Sequence, residues 1–202
     1  MVMMRLRYSK PSPYARKVRI VAHELGLSAS IELINTDTWN LPNELLAENP
    51  LGKIPSLLLS DGTVLYDSAV IAEYLTNLVR EPALLPAPAH KRFRVLRLQA
   101  LGDGIMDSAV ERFCEVNFRE PAQRSQSFID RFQSVAIRAV DYLETIAPTE
   151  LREINIGTIA ILAALGYLDH RFPDDQWRHG RPALSGWFQT MSARPSFAAT
   201  AP

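Results

Sequence analysis

The pattern of apolar residues changes at a proline-rich segment, residues 81–90, and this change limits the chain to a two-part architecture. Before this segment, short runs typical of strands alternate with helical runs. After it, apolar residues recur at helical spacing, and the connections between the predicted helices are short. We therefore predict an α/β domain over residues 1–80, a linker over 81–90 and an all-helical domain over 91–202.

Strand and helix signals in the first half follow the order β-α-β-α-β-β-α. Pro13 predicts the first turn of a helix over residues 12–25. Asp61-Gly62 predicts a hairpin, and Ser68 predicts the N-cap of the last helix of this half. In the second half, a tail is expected to pack back on the helical bundle after four helical patterns. These patterns cover about 90–117, 121–146, 155–170 and 182–193.

Charge, cysteine and histidine usage exclude several classes of function. The 22 basic residues balance the 22 acidic ones, so the chain has no broad field that would attract nucleic acid or anionic lipid. A single cysteine, Cys114, cannot form an internal disulfide. No apolar run is long enough for a membrane helix and no export signal is visible, so we expect a cytoplasmic protein. The histidines lack metal-ligand spacing and no glycine-rich nucleotide loop is present, so neither a metal nor an organic cofactor is expected.

The turn Ser12-Pro13-Tyr14-Ala15 has the form of a Cys-Pro-Tyr-Cys redox turn that lacks both sulfurs. A helix N-terminus favours an anion, including a thiolate, and the Ser12 hydroxyl can donate a hydrogen bond to one. Such a bond contributes about 1.5–3 kcal/mol, which lowers the pKa of a ligand thiol by about one to two units. The sulfur would then come from the ligand. In the simpler interpretation, Ser12 only caps the helix.

Two further segments suggest binding groups for an amino-acid-like ligand. Pro55 follows a loop and precedes a strand, where a cis peptide would leave the backbone of Ile54 unpaired by the sheet and able to bind a peptide-like ligand. Asp67 and Ser68 begin a helix, where the carboxylate of Asp67 suits an ammonium group and Ser68 suits a carboxylate. The alternatives are an ordinary loop proline and an ordinary helix cap.

Taken together, "SPYARKVRIVAHELGL", "NPLGKIPSLLLSDGTVLYDSAVIAEYL" and the helical half resemble the glutathione S-transferase family, in particular its bacterial cytosolic members. The resemblance implies a thioredoxin-like N-terminal domain that binds glutathione, followed by an all-helical domain. It places Ser12 at the catalytic position, with Tyr8 as the rival because some classes use a tyrosine at the end of the first strand. The residues implied to bind glutathione are Lys53, Ile54, Pro55, Asp67 and Ser68.

Two departures from the family pattern carry expectations. Members with cysteine at the position of Ser12 carry out thiol transfer, so weak or no disulfide reductase activity is expected here. The family commonly has a capping box ending in Asp at the start of its core helix, whereas this chain has Asn155 and Thr158. We expect only part of the reciprocal bonding to survive, which would weaken that helix start by about 0.5–1 kcal/mol.

The family pattern places the site for a small hydrophobic electrophile between the domains. Met106, Val110 and Phe113 share a helix face and are predicted to line this site, with bundle core as the alternative. Tyr14 and Arg16 are expected beside the thiol position, where they could face the electrophile, although Arg16 also fits a solvated helix residue.

The implied activity is that of a glutathione transferase, with glutathione as co-substrate and a homodimer as the expected assembly. Asp103 is a candidate for the glutathione amino group, acting across the dimer interface as in some relatives. The alternatives are a glutathione-binding or regulatory protein without turnover, and a glutathione-dependent peroxidase or dehalogenase.

Overall fold

The computed structural model describes residues 3–202, which divide into two compact units. The first unit comprises the chain up to Phe93 together with Pro195–Pro202, and the second comprises Arg94–Arg194. The last eight residues therefore group with the first unit, whereas we had expected the tail to pack on the helical bundle.

The predicted element order is confirmed in the first unit, and the bounds are β1 Met4–Tyr8, α1 Pro13–Glu24, β2 Ile31–Asn35, α2 Asn43–Glu48, β3 Ser56–Leu58, β4 Val64–Leu65 and α3 Ser68–Leu78. The four strands form one sheet with the order β2-β1-β3-β4. Strand β1 pairs in parallel with β2 and antiparallel with β3, and β4 pairs antiparallel with β3. Helices α1 and α3 pack against each other, and Leu6, Val18, Leu57 and Ile71 are fully buried in the core of this unit.

The rest of the chain is helical, as predicted. Its helices are α4 Ala89–Asn117, α5 Gln126–Glu150, α6 Ile156–Arg171, α7 Pro182–Ser192 and α8 Pro195–Ala198. Helix α5 begins later than predicted because Pro121–Gln123 form a separate 3-10 turn. Helix α6 is buried from Ile156 to Leu168. No helix within residues 3–202 has both the length and the apolar character needed to cross a membrane.

Glycines allow α4 and α6 to approach each other closely. A Cβ atom on Gly157 would lie 2.4 Å from the carbonyl oxygen of Val95, and one on Gly102 would lie 2.6 Å from the backbone of Ala160. Both distances are far below van der Waals contact, so any larger residue at either position would push the two helices apart.

The start of α6 carries a complete capping box, so the expectation of partial bonding was wrong. The Oδ1 atom of Asn155 accepts from the N–H of Thr158 at 2.9 Å, and the Oγ1 atom of Thr158 accepts from the N–H of Asn155 at 2.9 Å. The threonine hydroxyl thus makes the same return bond that a longer carboxylate makes in other capping boxes.

The C-terminal tail packs on α1. The guanidinium of Arg16 lies 3.7 Å from the ring centroid of Phe197 and donates to the carbonyl of Phe197 at 3.2 Å. One turn later, Arg19 donates to the carbonyls of residues 199 and 200. Ser196 donates to Glu24 at the end of α1, at 2.5 Å. Helix α8 and the residues after it therefore contact α1 from Arg16 to Glu24, which is most of its length.

We expect Phe197→Ala to lower the free energy of unfolding by about 1–3 kcal/mol, because it removes the ring that covers the buried guanidinium of Arg16. Urea denaturation followed by circular dichroism measures this change. Phe93→Ala is the matched control, since Phe93 belongs to the same unit but is 67% exposed. Equal stability of the two variants would contradict the role of the tail.

Candidate functional site

Three loops meet at one end of the sheet in the first unit. The register pairs Arg7, near the end of β1, with Ser56 at the start of β3, and pairs Leu57 with Leu65 at the end of β4. The loop after β1, the loop before β3 and the loop after β4 must therefore leave the sheet at the same end. These loops carry the predicted site residues of this unit: Ser12 after β1, Lys53, Ile54 and Pro55 before β3, and Asp67 and Ser68 after β4.

Ser12 is the N-cap of α1 and Pro13 occupies the first turn, as predicted. The Oγ atom of Ser12 accepts a hydrogen bond from the N–H of Ala15 at 3.2 Å. A serine hydroxyl can accept at its lone pairs and still donate its own proton, so capping leaves that proton for a ligand. The capping and the ligand-binding interpretations of Ser12 are therefore compatible.

Tyr8, the rival candidate, is the last residue of β1. Its ring lies 5.1 Å from the guanidinium of Arg19 on α1. This contact gives the side chain a packing role between strand and helix, while Ser12 stands at the helix end where an anion is favoured.

The Ile54–Pro55 peptide is cis, which the sequence had suggested without showing it. Ile54 lies outside the strand ladder, and its backbone makes no hydrogen bond to another residue between 3 and 202. Its N–H and C=O groups thus remain for an extended ligand. Lys53, next to it, is exposed.

Asn49 holds the loop before β3, and the sequence analysis missed it. Its side chain is 1% exposed, donates to the carbonyl of Lys53 at 2.9 Å and accepts from the N–H of Leu51 at 3.0 Å. The signal was present, because asparagine followed by proline and glycine is typical of turns.

Glu48, the residue before Asn49, forms a paired salt bridge with Arg7 at 2.6 and 2.8 Å, and this bond raises the pKa of Arg7.

Asp67, and not Ser68, is the N-cap of α3, which corrects the sequence prediction. The Oδ1 atom of Asp67 accepts from the N–H of Ala69 at 3.0 Å, while the carboxylate remains exposed. Ser68 is the first residue of the helix and is 3% exposed. Its hydroxyl makes no hydrogen bond to any residue between 3 and 202. Aspartate and serine are about equally good caps, so the backbone decides: Asp67 is extended, whereas Ser68 is already part of the helix.

The structure corrects two predicted electrophile-site residues. Arg16 is 5% exposed and lies against Phe197, so it neither faces a substrate nor is solvated. Met106 has no exposed surface, as expected for the core alternative. Four other predicted residues are half-buried and have some accessible surface: Asp103, Val110, Phe113 and Tyr14.

Cys114 is a half-buried residue of α4, and burial raises the pKa of its thiol, with a further contribution from the charge of Glu111. A raised pKa keeps the thiol protonated, so Cys114 lacks the features of an activated nucleophile. Within residues 3–202, no group of three or more His, Cys, Asp or Glu side chains is arranged to hold a metal ion.

Comparison with known proteins gives consistent matches. A family model described as "Glutathione S-transferase, N-terminal domain" matches residues 11–78. The "Uncharacterized GST-like protein YibF" of Escherichia coli (strain K12) is 36% identical over 202 residues, covering 98% of each chain. A glutathione transferase family member from Pseudomonas fluorescens Pf-5, solved with bound glutathione, has 39% identity and a TM-score of 0.95, with 98% of each chain covered. A second structure from that organism, with bound S-(propanoic acid)-glutathione, has 38% identity and a TM-score of 0.89 over 98% and 97% of the two chains.

We expect Asn49→Ala to lower the free energy of unfolding by about 2 kcal/mol, because it removes the two hydrogen bonds that the buried Asn49 side chain makes to the backbone of Lys53 and Leu51. Urea denaturation measures the change. Asn77→Ala is the control, since the Asn77 amide also donates to a backbone carbonyl but is exposed on α3. A loss as small as that of the control, within about 0.5 kcal/mol, would show that Asn49 does not hold the loop.

Proposed function

Because the chain belongs to the glutathione S-transferase family, we propose that it is a glutathione transferase that ionises the thiol of glutathione and adds the sulfur to a small hydrophobic electrophile. The observation that carries this proposal is the meeting of three loops at one end of the sheet. They present a hydroxyl at a helix N-terminus, an unpaired backbone segment and a carboxylate. These groups match the thiol, the peptide backbone and the α-amino group of glutathione.

Ser12 is proposed as the catalytic residue that contacts the sulfur. Its hydroxyl donates to the thiolate, and the N-terminus of α1 adds a partial positive charge. Both interactions favour the ionised thiol over the protonated one, so they lower its pKa.

The remaining groups position the tripeptide. The N–H and C=O of Ile54, before cis Pro55, bind the cysteinyl backbone as an added strand. Lys53 attracts the glycyl carboxylate. Asp67 uses one oxygen as a cap and has a second oxygen for the γ-glutamyl ammonium, while Ser68 donates to the γ-glutamyl carboxylate. Asp103 remains the candidate for a second contact to the amino group, from the other subunit of a homodimer.

The chemical step needs no further group on the protein. The thiolate sulfur attacks the electrophilic carbon, and a C–S bond forms. In substitution, the leaving group departs with its bonding electron pair. In conjugate addition, the double-bond electrons move to the α-carbon, which takes a proton. The enzyme contributes positioning and thiolate stabilisation. The candidates for binding the electrophile are Val110 and Phe113 on α4 and Tyr14 on α1, two residues after Ser12.

We expect Ser12→Ala to raise the thiol pKa of bound glutathione by about one unit and to lower kcat/KM at neutral pH about tenfold, because one charge-assisted hydrogen bond is lost. A titration of the ultraviolet absorbance of the thiolate measures the pKa, and turnover of an aryl halide measures the rate. Ser9→Ala, in the same loop, is the control. An unchanged thiol pKa in Ser12→Ala would remove Ser12 from the mechanism.

We expect Asp67→Asn to weaken glutathione binding about tenfold while the free energy of unfolding changes by less than about 0.5 kcal/mol. Asparagine caps a helix as well as aspartate does, so the substitution removes the charge but keeps the cap. Isothermal titration calorimetry and urea denaturation measure the two quantities. If glutathione binds equally well to the variant, the assigned head-group site is wrong.

A further inference from the structure

Arg171, the last residue of α6, lies among aromatic side chains of the helical unit. Its guanidinium is 4.1 Å from the ring centroid of Phe113 and 5.9 Å from that of Tyr167. The side chain is half-buried, and its Nε atom is buried without a hydrogen-bond partner. Stacking on a ring occupies the face of a guanidinium but leaves its N–H edges for an acceptor.

Three carboxylates lie close to Arg171 in the chain. Asp174 is exposed and forms no ion pair with Arg171, and the other two are already used by other arginines. Asp169 is paired with Arg178, at 2.7 Å between Oδ2 and Nη2. Asp175 accepts from both terminal nitrogens of Arg112. In the part of the chain that the structure describes, residues 3–202, no carboxylate forms an ion pair with Arg171. A half-buried cation without a counter-ion is uncommon and attracts an anionic group.

Tyr167 adds a polar group to this cation. It lies one turn before Arg171 on α6 and is 5% exposed. Burial raises the pKa of its hydroxyl, and the charge of Arg171 offsets this only in part, so the hydroxyl stays a donor at neutral pH. An ionised carboxylate only accepts hydrogen bonds, and a guanidinium together with a phenol hydroxyl supplies the donors it requires.

Phe113 and its neighbour Phe118 supply an apolar surface beside the charge. Their rings are in edge-to-face contact, with centroids 5.8 Å apart, and Phe118 is 52% exposed. An aromatic or short apolar ligand fits such a surface.

We propose that Arg171, Tyr167 and Phe113 form a carboxylate-binding site for the second substrate, so that the enzyme prefers apolar electrophiles that carry a carboxylate. This inference rests on the proposed transferase function, in which Phe113 binds the electrophile. A matched pair of substrates is 4-chloro-3-nitrobenzoate and its methyl ester. With either one, the glutathione sulfur bonds to the carbon that bears chlorine, chloride leaves with the C–Cl electron pair, and the thiol proton passes to solvent.

The binding test uses unreactive probes, 3-nitrobenzoate and methyl 3-nitrobenzoate, titrated by calorimetry into the full-length protein saturated with glutathione. We expect the acid to bind about tenfold more tightly than the ester, and Arg171→Gln to remove this preference. Arg138→Gln, an exposed position on α5, is the control for net charge and should keep it. Equal binding of acid and ester to the wild type would overturn the proposal, and so would a preference that persists in Arg171→Gln.

Should Arg171→Gln not fold, Arg171→Lys and Tyr167→Phe decide the question. Lysine keeps the charge but loses the planar fork, and phenylalanine loses only the hydroxyl. We expect each to reduce the acid preference about threefold or more, and an undiminished preference in both would overturn the site.

Turnover of the reactive pair separates this inference from the proposed function. If both compounds are turned over, and each has the same kcat/KM in wild type as in Arg171→Gln, the carboxylate site is refuted. The transferase function is then still supported. Binding of the acid that depends on Arg171, without turnover of either compound, supports the site as an anion-binding site and refutes the transferase function.

Discussion

The pairing of β1 with two neighbours is the interaction on which the proposed glutathione site depends. Strand β1 lies between β2 and β3, parallel to one and antiparallel to the other. This arrangement brings the end of β1 beside the start of β3, and the pairing of β3 with β4 adds the end of β4. Residues more than fifty positions apart, Ser12 and Asp67, are thereby placed on loops at the same end of one small sheet. A shift in register would separate these loops and reverse the faces of the strand side chains.

Helix α1 is held by groups that come from distant parts of the chain. Ser12 caps its start, α3 packs along it, and the C-terminal tail bonds to Arg16 and Arg19 on it. The proposed catalytic hydroxyl of Ser12 is only as well positioned as the helix that it caps, so these contacts would contribute to the proposed site without touching a ligand. The same reasoning applies to Asn49, which orders the backbone before cis Pro55.

Local signals predicted the elements well because their causes are local. Pro13 marks the first turn of α1, the Asp61-Gly62 hairpin separates β3 from β4, and the helical spacing of the second half gives helices.

The errors of the sequence prediction also have physical reasons. Adjacent Asp67 and Ser68 are both good caps, and only the backbone conformation selects Asp67. With Thr158 in place of Asp, only part of the capping-box bonding was expected, yet the hydroxyl of Thr158 accepts from the N–H of Asn155.

The order of elements and the glutathione S-transferase resemblance were determined by the sequence alone, since they depend on spacing and on turn residues. Tertiary structure decided which side chains are accessible. Arg16 and Met106 share the helical spacing of accessible neighbours, but Arg16 is covered by the tail and Met106 is fully buried. It also decided that Arg171 has aromatic neighbours and no carboxylate partner within residues 3–202. Burial and pairing depend on groups that are distant in sequence, and no local pattern encodes which of them meet.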